Sequence, residues 1–476
     1  MASQKGLSTY IIFLFLLYAV GTVFPQLSLS YMECRVNVNR SFIVHTNEII
    51  FKDISYKNIF HDIINISSFG SRVTGYEGAN ETANYIASKL SSLGLKVLWH
   101  PYNVVVPLDL GSSIVISAPE GEKTYKAYAL WPNGVQTSPT PPEGLSGRLI
   151  YVGKGDLKDF DGKDVDGSIV LMDYESGDHW LNAAKLGAKA VIFIAPPGPS
   201  TYSEAIKKFL DTPLYFPRLY INYETGLDLI ESSKKGADAK VYLRMYYRKI
   251  TAYNIIGILE GSQKDEVIII SSHYDSWSSV PALANSPYEA ISAAYLLELA
   301  RILSKTQTFR TVWFTFFSGH WQALSGPREF VENYYFSPEV QNGAIKPLLL
   351  INIGELDPSG LGLDLIRGGA GTYFATVSTA SGISTRYSWI RQQIFTNYLS
   401  HPELTLKIQN LTGSIPSTLV KDFFTNTMFW GTENSYYMLD SEPAEMPGGV
   451  AFTIQSSYAR KNWRGTRIIT KFLSMK

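Results

Sequence analysis

The sequence predicts an α/β protein with a mostly parallel central sheet covered on both faces, plus a β-rich unit set into its first half. Two observations carry this. In the C-terminal part, apolar runs at 254–259, 267–272, 311–317, 347–353 and 449–454 alternate with helical stretches at 289–304, 328–333 and 385–398. Strands that are apolar on both sides and alternate with helices belong to parallel sheets buried beneath those helices. Between 112 and 248 the character changes: short β runs at 148–152, 168–173, 190–194 and 240–246 are punctuated by Gly and Pro, with small helices at 180–186 and 223–232.

Composition excludes several classes. A chain of 476 residues has room for about three ordinary domains. Lys and Arg number 42 and Asp and Glu 42, and this balance argues against a nucleic-acid surface or a polybasic membrane face. With 24 Phe, 9 Trp and 30 Tyr the chain is too aromatic to be disordered. The single cysteine, Cys34, excludes an intrachain disulfide and any zinc site built on cysteine pairs. A metal would have to rest on His and carboxylates.

Taken in order, residues 1–30 read as a targeting segment, with an uncharged apolar run from Tyr10 to Phe24. Its length lies between a signal core and a spanning helix. It is read as an uncleaved N-terminal membrane anchor, with a cleaved signal and a secreted body as the alternative. Either way the body is expected outside the cytoplasm, at the cell surface. The Asn-x-Ser/Thr triplets at Asn39, Asn65, Asn80 and Asn410 fit that placement as glycan acceptors. Residues 31–111 read as the first part of the main domain, with a helix over 77–90 stopped by Gly94. Residues 112–250 form the β-rich insert, with a Pro-rich loop at 137–144, and 251–476 the rest of the main domain.

The chemistry-bearing residues cluster at predicted strand ends, where open α/β sheets bind ligands. Segments 268–276 (IIISSHYDS), 314–321 (FTFFSGHW) and 350–355 (LINIGE) all finish in polar residues. His273 and Asp275 stand two apart, so both face one side of an extended segment. Such a pair suits a metal-binding imidazole steadied by a neighbouring carboxylate, or simply a packed strand-end histidine.

These stretches resemble the zinc aminopeptidase family, which includes bacterial leucyl aminopeptidase and glutamate carboxypeptidase, with transferrin receptor and nicastrin as non-peptidase relatives. Segment 271–278 (SSHYDSWS) is similar to its His-x-Asp strand end, and 293–303 (AAYLLELARIL) to the helix that follows. Segment 310–319 (RTVWFTFFSG) resembles the strand before its Glu-Glu pair, 440–443 (DSEP) with 448–454 (GGVAFTI) its last motif, and 70–75 (GSRVTG) its start. The insert resembles a protease-associated domain through 162–172 (GKDVDGSIVLM). The resemblance implies a three-layer sandwich and a site for two zinc ions.

The family's ligand pattern is largely absent. His273 and Asp275 match. The bridging aspartate falls on Tyr288, beside Glu289; the Glu-Glu pair becomes His320 and Trp321; the later acidic ligand becomes Gly354, beside Glu355; the final histidine becomes Ser441. Trp offers only a donor, Gly has no side chain, and a neutral hydroxyl binds zinc poorly. The expectation is therefore a pseudo-peptidase without zinc, whose remnant pocket binds a protein or peptide partner at the cell surface. One alternative is a hydrolase with a single rebuilt metal on His273, His320 and Glu289 or Glu355; another is a structural cell-surface component. Ser318 and His320 as a nucleophile pair is a further, weaker reading, since Ser-Gly there is family backbone. Trp321 is expected to plug the vacated metal space, with Tyr288 packed nearby.

Overall fold

The structure, a computed structural model, describes residues 53–118, 121–356, 363–366, 420–422, 439–445 and 447–456. The leader, Cys34, Asn39, Asn410 and the predicted helix at 385–398 lie outside the described residues.

Helix α1 (Tyr56–Ser68) starts where the Ser55 hydroxyl accepts from the Asn58 N–H at 3.2 Å. It meets α2 (Glu77–Ser92) through buried Asp62, which takes hydrogen bonds from Lys89 at 2.8 Å and from the Tyr85 hydroxyl at 2.6 Å. Gly94 ends α2 with a φ of +78°, a conformation that only glycine adopts without strain. Strand β1 (Lys96–Asp109) follows; the sequence reading had no strand here.

The chain then builds a closed barrel. Its strands are β2 (Ser112–Ala118), β3 (Gly121–Ala129), β4 (Leu145–Tyr151), β5 (Ile169–Asp173), β6 (Ala190–Ile194), β7 (Arg218–Ile221) and β8 (Asp238–Tyr242), in the order β2-β3-β7-β6-β5-β4-β8. Helix α3 (Trp180–Lys185) and helix α4 (Tyr223–Lys234) lie in the connections. Ile114, Leu149, Ile169, Leu171, Ile192 and Val241 fill the inside. The strand expected at 240–246 divides, because β8 ends in the barrel and β9 (Met245–Leu259) leaves it to pair with β1 along its whole length.

The second sheet runs β1-β9-β11-β10-β12-β15-β13-β14, with β10 (Gln263–His273), β11 (Arg310–Phe317), β12 (Lys346–Ile353), β13 (Leu363–Ile366), β14 (Val420–Asp422) and β15 (Ala451–Ser456). Its centre, β11-β10-β12-β15, is parallel, and the β1 side is antiparallel. Helix α5 (Ile291–Leu303), which follows β10, is buried on every side except at Arg301, and with α1 and α2 it covers one face. On α5, buried Glu298 accepts from Arg301 at 2.7 Å and from the Ser55 N–H at 2.6 Å, so its charge is paired. Helix α6 (Ser325–Tyr334) and the short α7 (Glu442–Glu445) cover the other face, where Phe330, Val331 and Ala444 pack on Trp313 and Leu350. The result is helix–sheet–helix, with the carboxyl ends of β10, β11 and β12 gathered at one edge.

Candidate functional site

Strand β10 starts polar over 263–266, is apolar and buried over 267–270 where neighbouring strands and both helical layers enclose it, and turns polar again, still buried, at Ser271, Ser272 and His273. Beside it, β11 ends in Phe317 and turns through Ser318, Gly319 and His320, with Gly319 at a φ of +69°. The two strand ends bring the imidazoles of His273 and His320 face to face, centroids 4.1 Å apart and planes 18° from parallel. Asp440, just before α7, reaches both: Oδ1 accepts from His320 Nδ1 at 2.8 Å and Oδ2 from His273 Nδ1 at 3.2 Å. An ionised carboxylate only accepts, so both Nδ1 atoms carry protons. All three residues are buried.

The electrostatics follow from that contact. Burial opposes the charge on Asp440, but the two imidazoles outweigh it and hold its carboxyl well below the usual range. Burial also opposes a charged His320; Asp440, by charge and hydrogen bond, raises its pKa above the ordinary value. Asp275 behaves differently. Its pKa is raised by burial, and its Oδ2 accepts from the Thr74 hydroxyl at 3.0 Å. Its Oδ1 is buried with no hydrogen-bond partner among the described residues. The expectation that Asp275 steadies the His273 ring is therefore corrected. Asp440 does so, while Thr74 both donates to Asp275 and accepts from the Gly319 N–H at 2.8 Å.

The other expected positions separate. Glu289 turns to the backbone, both carboxylate oxygens accepting from the Trp277 N–H at 3.2 Å. Burial pushes its pKa well up, buried Arg72 offsets part of this, and Glu355 adds to it. Tyr288 packs against the main core. Gly354 has no room for a side chain: a Cβ there would meet Thr453 Cγ2 at 2.7 Å. Ser441 is buried with its hydroxyl 2.8 Å from that of Thr453. Ser318 Oγ is held by the Tyr102 hydroxyl at 2.7 Å and donates to Tyr253 O at 2.9 Å, whereas His320 is taken by Asp440, so the two do not form a nucleophile pair.

Trp321 does not plug the centre. Its ring stands edge-on to His320, at 4.9 Å and 81°, and leans on Trp277 at 6.0 Å. Trp277 contacts Trp131 and Phe209, aromatics of the barrel side, so the larger apolar surface lies there and Trp321 joins it. Half-buried, Trp321 forms a wall of a cleft of about 800 Å³ that is also lined by Asn103, Val104, Val105 and Pro107 of β1, Trp131, Tyr247 and one side of α6. Among the described residues one group could hold a metal: His273, His320 and Asp440, whose donor atoms lie within 4.8 Å of one another. Rings stacked this closely to parallel run their in-plane lone pairs alongside each other. They do not converge on one ion about 2 Å from each nitrogen unless one ring turns.

Residues 254–355, which contain both histidines, match Peptidase family M28, and residues 144–229 of the barrel match the PA domain. The likeness to Peptidase family M28 thus covers the central strands of the body, with a PA-domain likeness in the barrel set before them. The aminopeptidase YwaD of Bacillus subtilis is 24% identical over 294 residues, 58% of this chain and 58% of that protein. Bovine carboxypeptidase Q is 26% identical over 154 residues, 29% of this chain and 33% of its own length. The chain thus spans well under two thirds of these curated relatives. Among solved structures, a peptidase M28 precursor from Shewanella amazonensis superimposes with a TM-score of 0.50 at 16% identity, covering 87% of each chain, which supports the fold. In this M28 frame the residue that sequence reasoning missed is Asp440. It stands inside the quoted 440–443 motif, one position before Ser441.

Proposed function

We propose that this chain is a non-catalytic M28 protein, anchored in a membrane with its body outside the cytoplasm, that holds a protein or peptide partner in the cleft beside the former metal centre. The observation that carries the reading is the closed contact of His273 and His320 with Asp440. The family's two ions need acidic ligands on both sides of a bridging carboxylate. Here Glu289 is turned onto the backbone, Gly354 has no space for a side chain, Ser441 bonds Thr453 and Trp321 belongs to the cleft wall. The residues present do not fit two zinc ions.

A second reading has a specific observation behind it. His273, His320 and Asp440 are a set of three N and O donors, enough for one ion with an open position. In that reading the carboxylate is Asp440, not Glu289 or Glu355. Elemental analysis of the full-length protein, with assays on aminoacyl and dipeptide substrates, separates the two. Zinc well below one equivalent and no hydrolysis is the expected result; two equivalents would falsify the proposal, and one equivalent with hydrolysis favours the second reading.

Membrane anchoring rests on the apolar run from Tyr10 to Phe24, outside the described residues. Among the described residues no helix is long and apolar enough to cross a membrane. Of the sequons, Asn80 is exposed on α2, whereas the Asn65 amide nitrogen lies 3.2 Å from the Tyr85 hydroxyl in the α1–α2 contact. Asn80 is thus the more accessible glycan site. Protease shaving of intact cells tests the orientation: a body that survives shaving in cells whose surface proteins are digested places it inside.

A further inference from the structure

Strand β1 is the edge of the large sheet, and its register with β9 is unbroken from Lys96↔Ile258 to Asp109↔Met245. In an antiparallel pair successive residues turn their N–H and C=O alternately toward the partner strand and away from it. Tyr76 shows which set faces away: its hydroxyl donates to Pro107 O at 3.3 Å and accepts from the Asp109 N–H at 2.9 Å. Across the ladder, the carbonyl of Tyr253, opposite Pro101, also turns away, taking the Tyr274 hydroxyl at 2.7 Å. The odd-numbered residues of β1 therefore face outward. Pro101 and Pro107 sit in that same register, where a missing N–H removes nothing from the ladder.

Between these prolines, Asn103 and Val105 turn main-chain N–H and C=O groups outward. Edge strands are usually blunted, as this one is at Pro101, at Pro107 and under Tyr76. Val97 and Trp99 share the outward register beyond Pro101, but the stretch between the prolines is the one that lines the 800 Å³ cleft, where Val105 is 58% exposed. Trp131 and Trp321 give the cleft an apolar wall, and Arg328, Glu329 and Glu332 of α6 give it a polar wall with more negative than positive charge.

We propose that an extended peptide segment adds to β1 as a further strand at Asn103–Val105. Its alternate side chains go to opposite sides, apolar ones to Trp131 and Trp321 and a basic one to Glu329 and Glu332. This deepens the binding-protein reading and rests on it.

The test uses full-length protein in detergent and a fluorescein-labelled Thr-Val-Lys-Val-Lys-Thr probe, followed by fluorescence anisotropy. Two copies N-methylated on the odd or on the even amides are compared with it. An added strand bonds through one set only, so one copy binds like the parent and the other at least about tenfold more weakly. Replacing both lysines by glutamates also weakens binding. Val105→Pro, in the register that already tolerates two prolines, loses binding about tenfold while the thermal melt is retained, and Val105→Ala binds normally. Equal binding by both methylated copies, unchanged binding by Val105→Pro, or no binding of the basic probe overturns the proposal. Mass spectrometry of the recovered probe keeps the two readings apart. A cleaved probe overturns the non-catalytic reading and leaves the docking mode standing; an intact, unbound probe does the reverse.

Discussion

His273 and His320 lie in a parallel stack, 4.1 Å between centroids, although they come from the ends of different strands. Two imidazoles stack stably in a buried place only if their protons are taken, and Asp440 takes both. Replacing Asp440 with Asn leaves one amide facing two N–H groups and removes the charge that raises His320. The expected loss is about 3 kcal/mol, the scale for breaking a buried ion pair from one side. Chemical denaturation measures it; a loss below about 0.5 kcal/mol, the scale of a neutral surface change, means the triad is not a closed unit.

His100 predicts a pH effect of definite sign. Its Nδ1 accepts from Asn254 Nδ2 at 3.0 Å, and burial pushes its pKa down to about 4. The unfolded chain takes up this proton below about pH 6.5, while the folded chain resists until near 4. Proton uptake in that window favours unfolding, so the contribution of His100 to stability falls as pH drops through it. The melting temperature of the wild type should fall more between pH 7 and pH 5 than that of His100→Gln. Parallel curves for the two proteins contradict this.

Trp277 joins the two units. It is 6% exposed and packs on Trp131, Phe209 and Trp321, while Trp131 N–H donates to Ser279 O at 2.8 Å close by. Trp277→Ala should cost about 3–5 kcal/mol. It should also divide a single urea transition into two, as barrel and body lose their shared core. Tryptophan fluorescence and far-UV circular dichroism followed together reveal this, and coincident curves argue against it.

Gly326 opens α6 where the helix crosses the β11 turn. A Cβ there would stand 1.9 Å from Ser318 O and 2.6 Å from Asn254 Oδ1. Both are backbone or backbone-bound groups that cannot swing aside, since Asn254 Oδ1 also accepts from the Ser318 N–H at 3.2 Å. Gly326→Ala should destabilise by about 2–3 kcal/mol, near the upper end for overpacking, although alanine favours helix. A neutral or raised urea midpoint would show that the turn can yield.

What the sequence made legible follows from how local each signal is. Strand β6 was read to the residue, because an AVIFI run is apolar on both faces and bounded by turns. The α5 helix and the central strands were legible for the same reason. Strand β1 was not: its exposures alternate, it carries Pro101 and Pro107, and its partner lies on the far side of the barrel in sequence. At the site, His273 and His320 were found from their strand ends. Asp440 carries no such signal, since the family pattern asks for its ligand one position on, at Ser441, and the contact with both imidazoles forms only when α7 packs beside the strand ends. The lean of Trp321 toward Trp277 depends on a packing competition between units that no local pattern encodes.

The barrel is threaded between β1 and β9, and Leu110 N–H meets Arg244 O at 3.0 Å where the chain enters and leaves it. In folding terms, the longest ladder of the body is a hairpin whose loop is a whole domain. Closing so long a loop as free chain is slow, because the ends must find each other before any contact rewards them. A barrel folded first removes that search, since it delivers its two ends side by side. The order of assembly is then imposed by connectivity, barrel before body sheet. Weakening the barrel interior, for example by Ile192→Ala, should delay body formation in refolding kinetics, whereas weakening α5 should leave barrel formation untouched.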